Sequence, residues 1–183
     1  MRCVVLSYNL ESRFSADAPF PICYVRYLVH TLTISEIHNY RQAAQDLATS
    51  GQPREDQLVA IAAAGYDTVI NLALHDDPRY SLNDEASSVH ALGMEYIHIP
   101  VLFGAPTARD LALFFDAMDR SRGRRVWVHC AANMRVTAFL GLYWQLHDRV
   151  PEERAFSLMR SVWKPNDVWS LFIAAQVANT SAG

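Results

Sequence analysis

The sequence predicts a three-layer α/β domain, with a mostly parallel sheet and helices on both of its faces. Three observations carry this. Apolar, β-branched runs ("YDTVINLAL", "EYIHIPV" and "RVWVHC") alternate with segments of helical period. Glycines and capping residues stand at the seams between them. The order strand, helix, strand, helix, strand is that of parallel strands joined by crossover helices.

Each element follows in chain order. Residues 1–31 show no clear helical or strand period and are expected to be an accessory extension or an over-long translated start, leaving a domain over residues 32–183. Removing Met1 to Thr31 is therefore expected to leave the melting temperature nearly unchanged. "SEIHNYRQAAQDLA" reads as a short helix with Ser35 as its N-cap. "TSGQP" breaks it, and Pro53 takes the favoured first position of the next helix, where Leu58, Ile61 and Ala62 share one face. Gly65 ends that helix and "YDTVINLAL" is the first clear strand. The loop "HDDPRYSLND" leads to a helix through His90 closed by Gly93, and "EYIHIPV" is the second strand. Thr107 and Asp110 form a capping pair opening a helix lined by Leu111, Phe114, Phe115 and Met118. Gly123 closes it, and "RVWVHC" is the third strand. Two or three further helices, broken near Pro151 and Pro165, fill the remainder.

Composition narrows the function. The chain has 183 residues, 51% hydrophobic and 19% charged, which suits one globular domain with a sizeable core. A net charge of −3 gives no reason to expect nucleic acid or an anionic membrane as partner. "PFPICYVRYLVHTLTI" is too short and too charged to span a bilayer, and the N-terminus makes a poor signal peptide. Lys164 is the only lysine, so the basic residues are nearly all arginine, the side chain suited to bidentate oxyanion recognition. Cys3, Cys23 and Cys130 lack the paired spacing of a disulfide framework or a zinc cluster, and a reducing cytoplasm fits them best. His75 with Asp76 and Asp77, or His147 with Asp148, makes no convincing metal ligand set. No metal and no cofactor is expected, and oligomeric state is not readable from the sequence.

In open parallel sheets ligands collect at the carboxyl ends of the strands. Three rims should then share one edge: "HDDPRY", "LFGAPT" and "AANMRV". The last belongs to "VHCAANMRVT", a strand-to-helix loop whose amides at Ala131, Ala132, Asn133 and Met134 can turn inward at the positive end of a helix dipole. Such a cradle suits a phosphate and favours the thiolate of Cys130. A thiolate can attack phosphorus and hold the phosphoryl group until water removes it. An arginine fork from Arg135 would stabilise the transition state, and the Thr137 hydroxyl two residues on could assist the leaving thiolate.

"VHCAANMRVT" resembles the signature loop of the cysteine-based tyrosine and dual-specificity phosphatases. The span from about Ser35 to Trp169, with "SGQP", "VINLAL", "GMEYIHIPV" and "VWKPNDVW", is similar to a bacterial branch of phosphatase-like proteins that includes beta-lactamase hydrolase-like relatives. The resemblance implies a cysteine-phosphatase-like fold, Cys130 as nucleophile and His129 as support for the loop. It also exposes two departures. The usual loop reads His-Cys, two residues, Gly, two residues, Arg, then Ser or Thr. Laid on it without a gap, Asn133 replaces the glycine and Val136 the arginine. Asn tolerates positive φ, so Asn133 can keep the turn. One residue on a helix is about 100° of rotation, so Arg135 serves as the clamp only if the loop is one residue tighter.

The second departure is the general acid. The family supplies an aspartate after the "HIPV" strand, whereas "LFGAPT" holds no carboxylate. Asp110 is either that acid or a helix cap; Asp76 and Asp77 are either acids on the same edge or a solvated turn before Pro78. Three functions follow. The first is a phosphomonoester hydrolase of tyrosine-phosphatase type, the second a catalytically weak module holding a phosphorylated or other oxyanion ligand, the third a sulfurtransferase carrying a persulfide on Cys130.

Overall fold

The computed structural model describes residues 33–181; the expected extension, residues 1–31, lies outside them. Among the described residues, five strands form one sheet in the order β1-β2-β5-β3-β4. β1 (Arg41–Ala44) and β2 (Leu47–Ser50) are an antiparallel hairpin, and β3 (Thr68–Asn71), β4 (Glu95–His98) and β5 (Val126–His129) add in parallel.

The hairpin corrects the sequence reading. The stretch expected to be a helix capped by Ser35 is a 3-10 turn at Ile34–Glu36 followed by β1 and β2. Alanine and glutamine favour a helix locally, but tertiary pairing overrides so weak a preference. All four residues of β2 are buried, and the backbone of a buried strand needs partners on both sides. β1 supplies one side and β5 the other. Asn39, at φ 51°, makes the turn into β1.

Helix α1 (Glu55–Ala63) starts two residues after Pro53, with Gln57 reaching back to accept from the Arg54 N–H at 2.9 Å. Gly65 follows it at φ 86°, a left-handed C-terminal stop that favours glycine. α2 (Glu85–Ala91) starts at Asp84, whose carboxylate accepts from the Ser87 N–H. α3 (Ala108–Arg120) opens on the expected Thr107–Asp110 capping box. On α3, Leu111, Phe114 and Met118 are buried, each worth roughly 1.5–3 kcal/mol. Phe115 is half-buried, edge-on to Tyr143.

The C-terminal third holds four helices: α4 (Met134–Leu142), α5 (Glu152–Ala155), α6 (Ser157–Val162) and α7 (Asp167–Ser181), with a π-helical stretch at Tyr143–His147 continuing α4. α4 is buried from Arg135 to Leu142. One core lies between the sheet and α3–α7, around Phe114, Phe139 and Trp169. The other lies beneath α1 and α2, around Trp127, Leu58 and Ile61. This is the three-layer architecture. No helix among the described residues is long and apolar enough to cross a membrane.

Strand register sets up the site. Ser50 pairs with His129, His129 with Asn71, and Asn71 with His98, so the carboxyl ends of four strands form one row.

Candidate active site

Cys130 follows β5 directly, 1% exposed, its N–H donating to Ser50 O at 3.3 Å. The next carbonyls point toward the β2 side. Ala131 O accepts from the Gln52 N–H at 3.2 Å and Ala132 O from Asn39 Nδ2 at 3.1 Å. The N–H groups of Ala131 and Ala132 have no hydrogen-bond acceptor among the described residues. The first N–H groups of α4, at Met134 and Arg135, are open as at any helix start. Carbonyls tied back with amides unclaimed is the polarity of an anion cradle. Gly51 permits it, because a Cβ there would lie 2.8 Å from Ala131 O and 2.8 Å from the His38 ring.

Asn133 stands where the family's loop has glycine. It is fully buried at φ 64°, the left-handed region expected of it. Its Nδ2 donates to Asn39 O at 2.8 Å and to Thr49 Oγ1 at 2.9 Å. A glycine could turn the chain here but could not bind it to the hairpin.

Because α4 starts at Met134, Arg135 lies in its first turn and Val136 turns into the core, fully buried. Arg135 reaches the carboxyl edge. Its Nη1 donates to Val101 O at 2.7 Å and Leu72 O at 3.2 Å, joining the rims after β4 and β3. Its Nε and Nη2 make no hydrogen bond to the described residues. Thr137 Oγ1 donates to Asn133 O at 2.9 Å and receives the Trp163 indole N–H at 3.2 Å, and none of its hydrogen bonds is to Cys130.

Behind the loop lies a buried network that the sequence reading missed. The Glu85 side chain, fully buried, has Oε1 at 3.0 Å from His129 Nε2 and accepts there from Gln52 Nε2 at 3.0 Å. Its Oε2 accepts from Asn71 Nδ2 at 2.7 Å and Tyr96 Oη at 3.1 Å. The His129 ring lies against Glu85 Oε1 without an aligned hydrogen bond among the described residues. Burial pushes the Glu85 carboxyl up, but the His129 ring with the Gln52 and Tyr96 hydrogen bonds outweighs it and holds the group at about 2. Burial, and then the Glu85 charge, push the Tyr96 phenol up. Burial lowers His98, which stacks on His75 at 4.2 Å. Nothing in the sequence marks Glu85, since an acidic residue in a helix's first turn is ordinary.

The carboxylates singled out as acids have local surroundings of their own. Asp110 accepts from the Thr107 N–H and hydroxyl as a helix cap. Asp77 is paired with Arg79 at 2.7 Å, which holds it below the usual carboxylate range, and Asp76 is exposed in the same loop. The 102–106 rim is pinned by Phe103, whose carbonyl accepts the Trp169 indole N–H at 2.9 Å and whose ring packs on Trp163 and Trp169.

Comparison with known proteins agrees with this architecture. The family model described as "Beta-lactamase hydrolase-like protein, phosphatase-like domain" matches residues 39–146, more than half of the chain. A beta-lactamase hydrolase-like protein of Xylella fastidiosa is 30% identical over 114 residues, which cover 61% of this chain and 26% of that protein. The chain thus spans about a quarter of the length of the curated relatives it matches. A DUF442 phosphatase candidate from Shewanella putrefaciens CN-32 superposes with a TM-score of 0.72 at 32% identity, covering 80% of this chain and 96% of that one. Tk-PTP in its active form shares the fold, with a TM-score of 0.62 at 20% identity over 79% of this chain and 97% of its own. The chain belongs to the phosphatase-like domain family of the beta-lactamase hydrolase-like proteins.

Proposed function

We propose that the chain hydrolyses phosphomonoesters through a cysteinyl-phosphate on Cys130. The observation that carries this is the polarity of the loop: Ala131 and Ala132 turn their carbonyls to the hairpin and leave their amides unclaimed beside the Cys130 thiol. In this reading the loop amides and the free nitrogens of Arg135 hold the phosphoryl oxygens. The Cys130 sulfur forms a bond to phosphorus as the bond to the leaving oxygen breaks. Water then attacks phosphorus, releases phosphate and returns the thiolate.

The 102–106 rim has no carboxylate to protonate the leaving oxygen. Esters whose leaving oxygen departs as an anion should therefore be favoured, so aryl phosphates should turn over faster than alkyl phosphates. A single test decides the reading. p-Nitrophenyl phosphate should be hydrolysed by the parent, which should carry one phosphoryl group on Cys130 after rapid quenching, and neither should be seen in Cys130→Ser. Turnover that survives Cys130→Ser would overturn it.

One observation favours a second reading. Arg135 already spends Nη1 on two carbonyls, which suits holding an oxyanion more than following a moving phosphoryl group. Vanadate binding without turnover would select that reading, and thiocyanate formation from thiosulfate and cyanide would select sulfur transfer.

A further inference from the structure

Glu85 gathers the carboxyl edge of the sheet onto a single buried carboxylate. His129 comes to it from the end of β5, Asn71 from the end of β3, Tyr96 from β4 and Gln52 from the segment after β2. A fifth side chain, His75 in the loop after β3, stands 3.8 Å away with its ring part-exposed. His129, His75, His98 and Tyr96 are the titratable groups around Glu85; Gln52 and Asn71 are neutral donors.

His129 and Cys130 leave β5 on opposite faces. Val126, Val128 and Cys130 point into the α3–α7 core, whereas Trp127 points into the core beneath α1 and α2. His129 therefore shares the α2 side with Glu85, and the thiol lies on the other. The peptide joining them is the hinge of the cradle. Its two ends are the ring held by Glu85 and the sulfur that would attack.

We infer that Glu85 is a positioning residue for Cys130, fixing the His129 ring and through it the peptide from which the cradle's first amide and the thiol are presented. This rests on the phosphatase reading for its kinetic consequence only; the effect on the thiol stands without it. A buried carboxylate with four partners is an expensive group to keep for packing alone, since a well-packed apolar residue would do that as well. Its position against His129, the residue that precedes the nucleophile, gives it a second purpose.

The sign of the effect separates positioning from simple charge. Loss of a nearby negative charge, taken alone, would make the Cys130 thiolate easier to form. Loss of the brace would let the loop amides drift from the sulfur and make the thiolate harder to form. The two move the titration in opposite directions.

The test uses the full chain with Cys3 and Cys23 replaced by serine, so that Cys130 is the only thiol. Iodoacetamide labelling is followed against pH, together with kcat and KM on p-nitrophenyl phosphate and the thermal transition. In Glu85→Gln the labelling midpoint should rise by about half a unit or more, and kcat should fall about tenfold with KM little changed, as misplacing a reacting atom does. A merely structural role would lower the folded fraction and leave the midpoint of the folded protein where it was. An unchanged or lowered midpoint in folded Glu85→Gln overturns the inference. Should that variant fail to fold, Tyr96→Phe decides: it keeps the charge and removes one donor, and its midpoint should rise by a smaller amount, no rise overturning the inference. If the parent lacks phosphatase activity, the functional proposal fails while the labelling midpoint still judges Glu85.

Discussion

Asn133 and Arg135 carry the two departures from the family's loop, and each can be tested alone. Asn133→Gly keeps the left-handed turn and loses two side-chain hydrogen bonds, to Asn39 O and Thr49 Oγ1. Asn133→Ala loses both and adds left-handed strain, so it should be the less stable of the two by about 1–2 kcal/mol in urea unfolding. Equal stability would mean that the backbone relaxes out of the φ of 64°. Arg135→Ala should weaken vanadate binding by about 1.5–3 kcal/mol, the size of a charged hydrogen bond. Binding as tight as the parent's would remove Arg135 from the cradle. Val136→Arg should instead disrupt folding, because Val136 is fully buried. At this scale the sequence was informative where the loop could be aligned residue by residue. It was silent on Glu85, because a carboxylate's burial depends on strands that meet only in the fold.

Elements were legible wherever local preference and tertiary demand agree. β3, β4 and β5 are apolar runs ending at recognisable rims, and the Thr107–Asp110 box opens α3 where expected. β1 and β2 were not legible, since an alanine- and glutamine-rich strand looks helical until β5 leaves an edge for it to extend. The C-terminal breaks near Pro151 and Pro165 were visible, whereas the π-helical continuation of α4 left no sequence mark. The approach of α5 and α6 to α4 hangs on one glycine. A Cβ on Gly141 would lie 2.2 Å from the buried Phe156 ring. Gly141→Ala gains up to about 1 kcal/mol of helix propensity but overpacks a rigid contact, at a cost of about 1–3 kcal/mol. The overpacking should win, and thermal unfolding should show a net loss. A higher melting temperature would show that Phe156 swings aside freely.

For the whole molecule, the polar row at the carboxyl edge of the sheet makes stability depend on pH in two separate windows. His98 has its pKa lowered, by burial first and by the neighbouring His75 among other causes. A group whose pKa is depressed in the folded state stabilises above its ordinary value and loses that contribution as pH falls through the folded value. For His98 the loss begins below its ordinary 6.5. Glu85 has the same sign in a lower window: its contribution is complete above its ordinary 4.5 and disappears as pH falls toward about 2. The two losses come from different causes and should separate by substitution. Unfolding free energy measured by urea should begin to fall as pH drops below 6.5, and this first step should vanish in His98→Gln. A second fall below 4.5 should be shallower in Glu85→Gln, whose amide has no proton to gain there. The same variant is expected to disturb the thiol at neutral pH, where Glu85 is fully charged and its stability contribution is flat. Stability and thiol titration thus read one carboxylate in different pH ranges. If Glu85→Gln follows the parent's acid profile below 4.5, the carboxylate does not hold the strand ends through its charge, and neutral hydrogen bonds from Gln52, Asn71 and Tyr96 carry the edge instead.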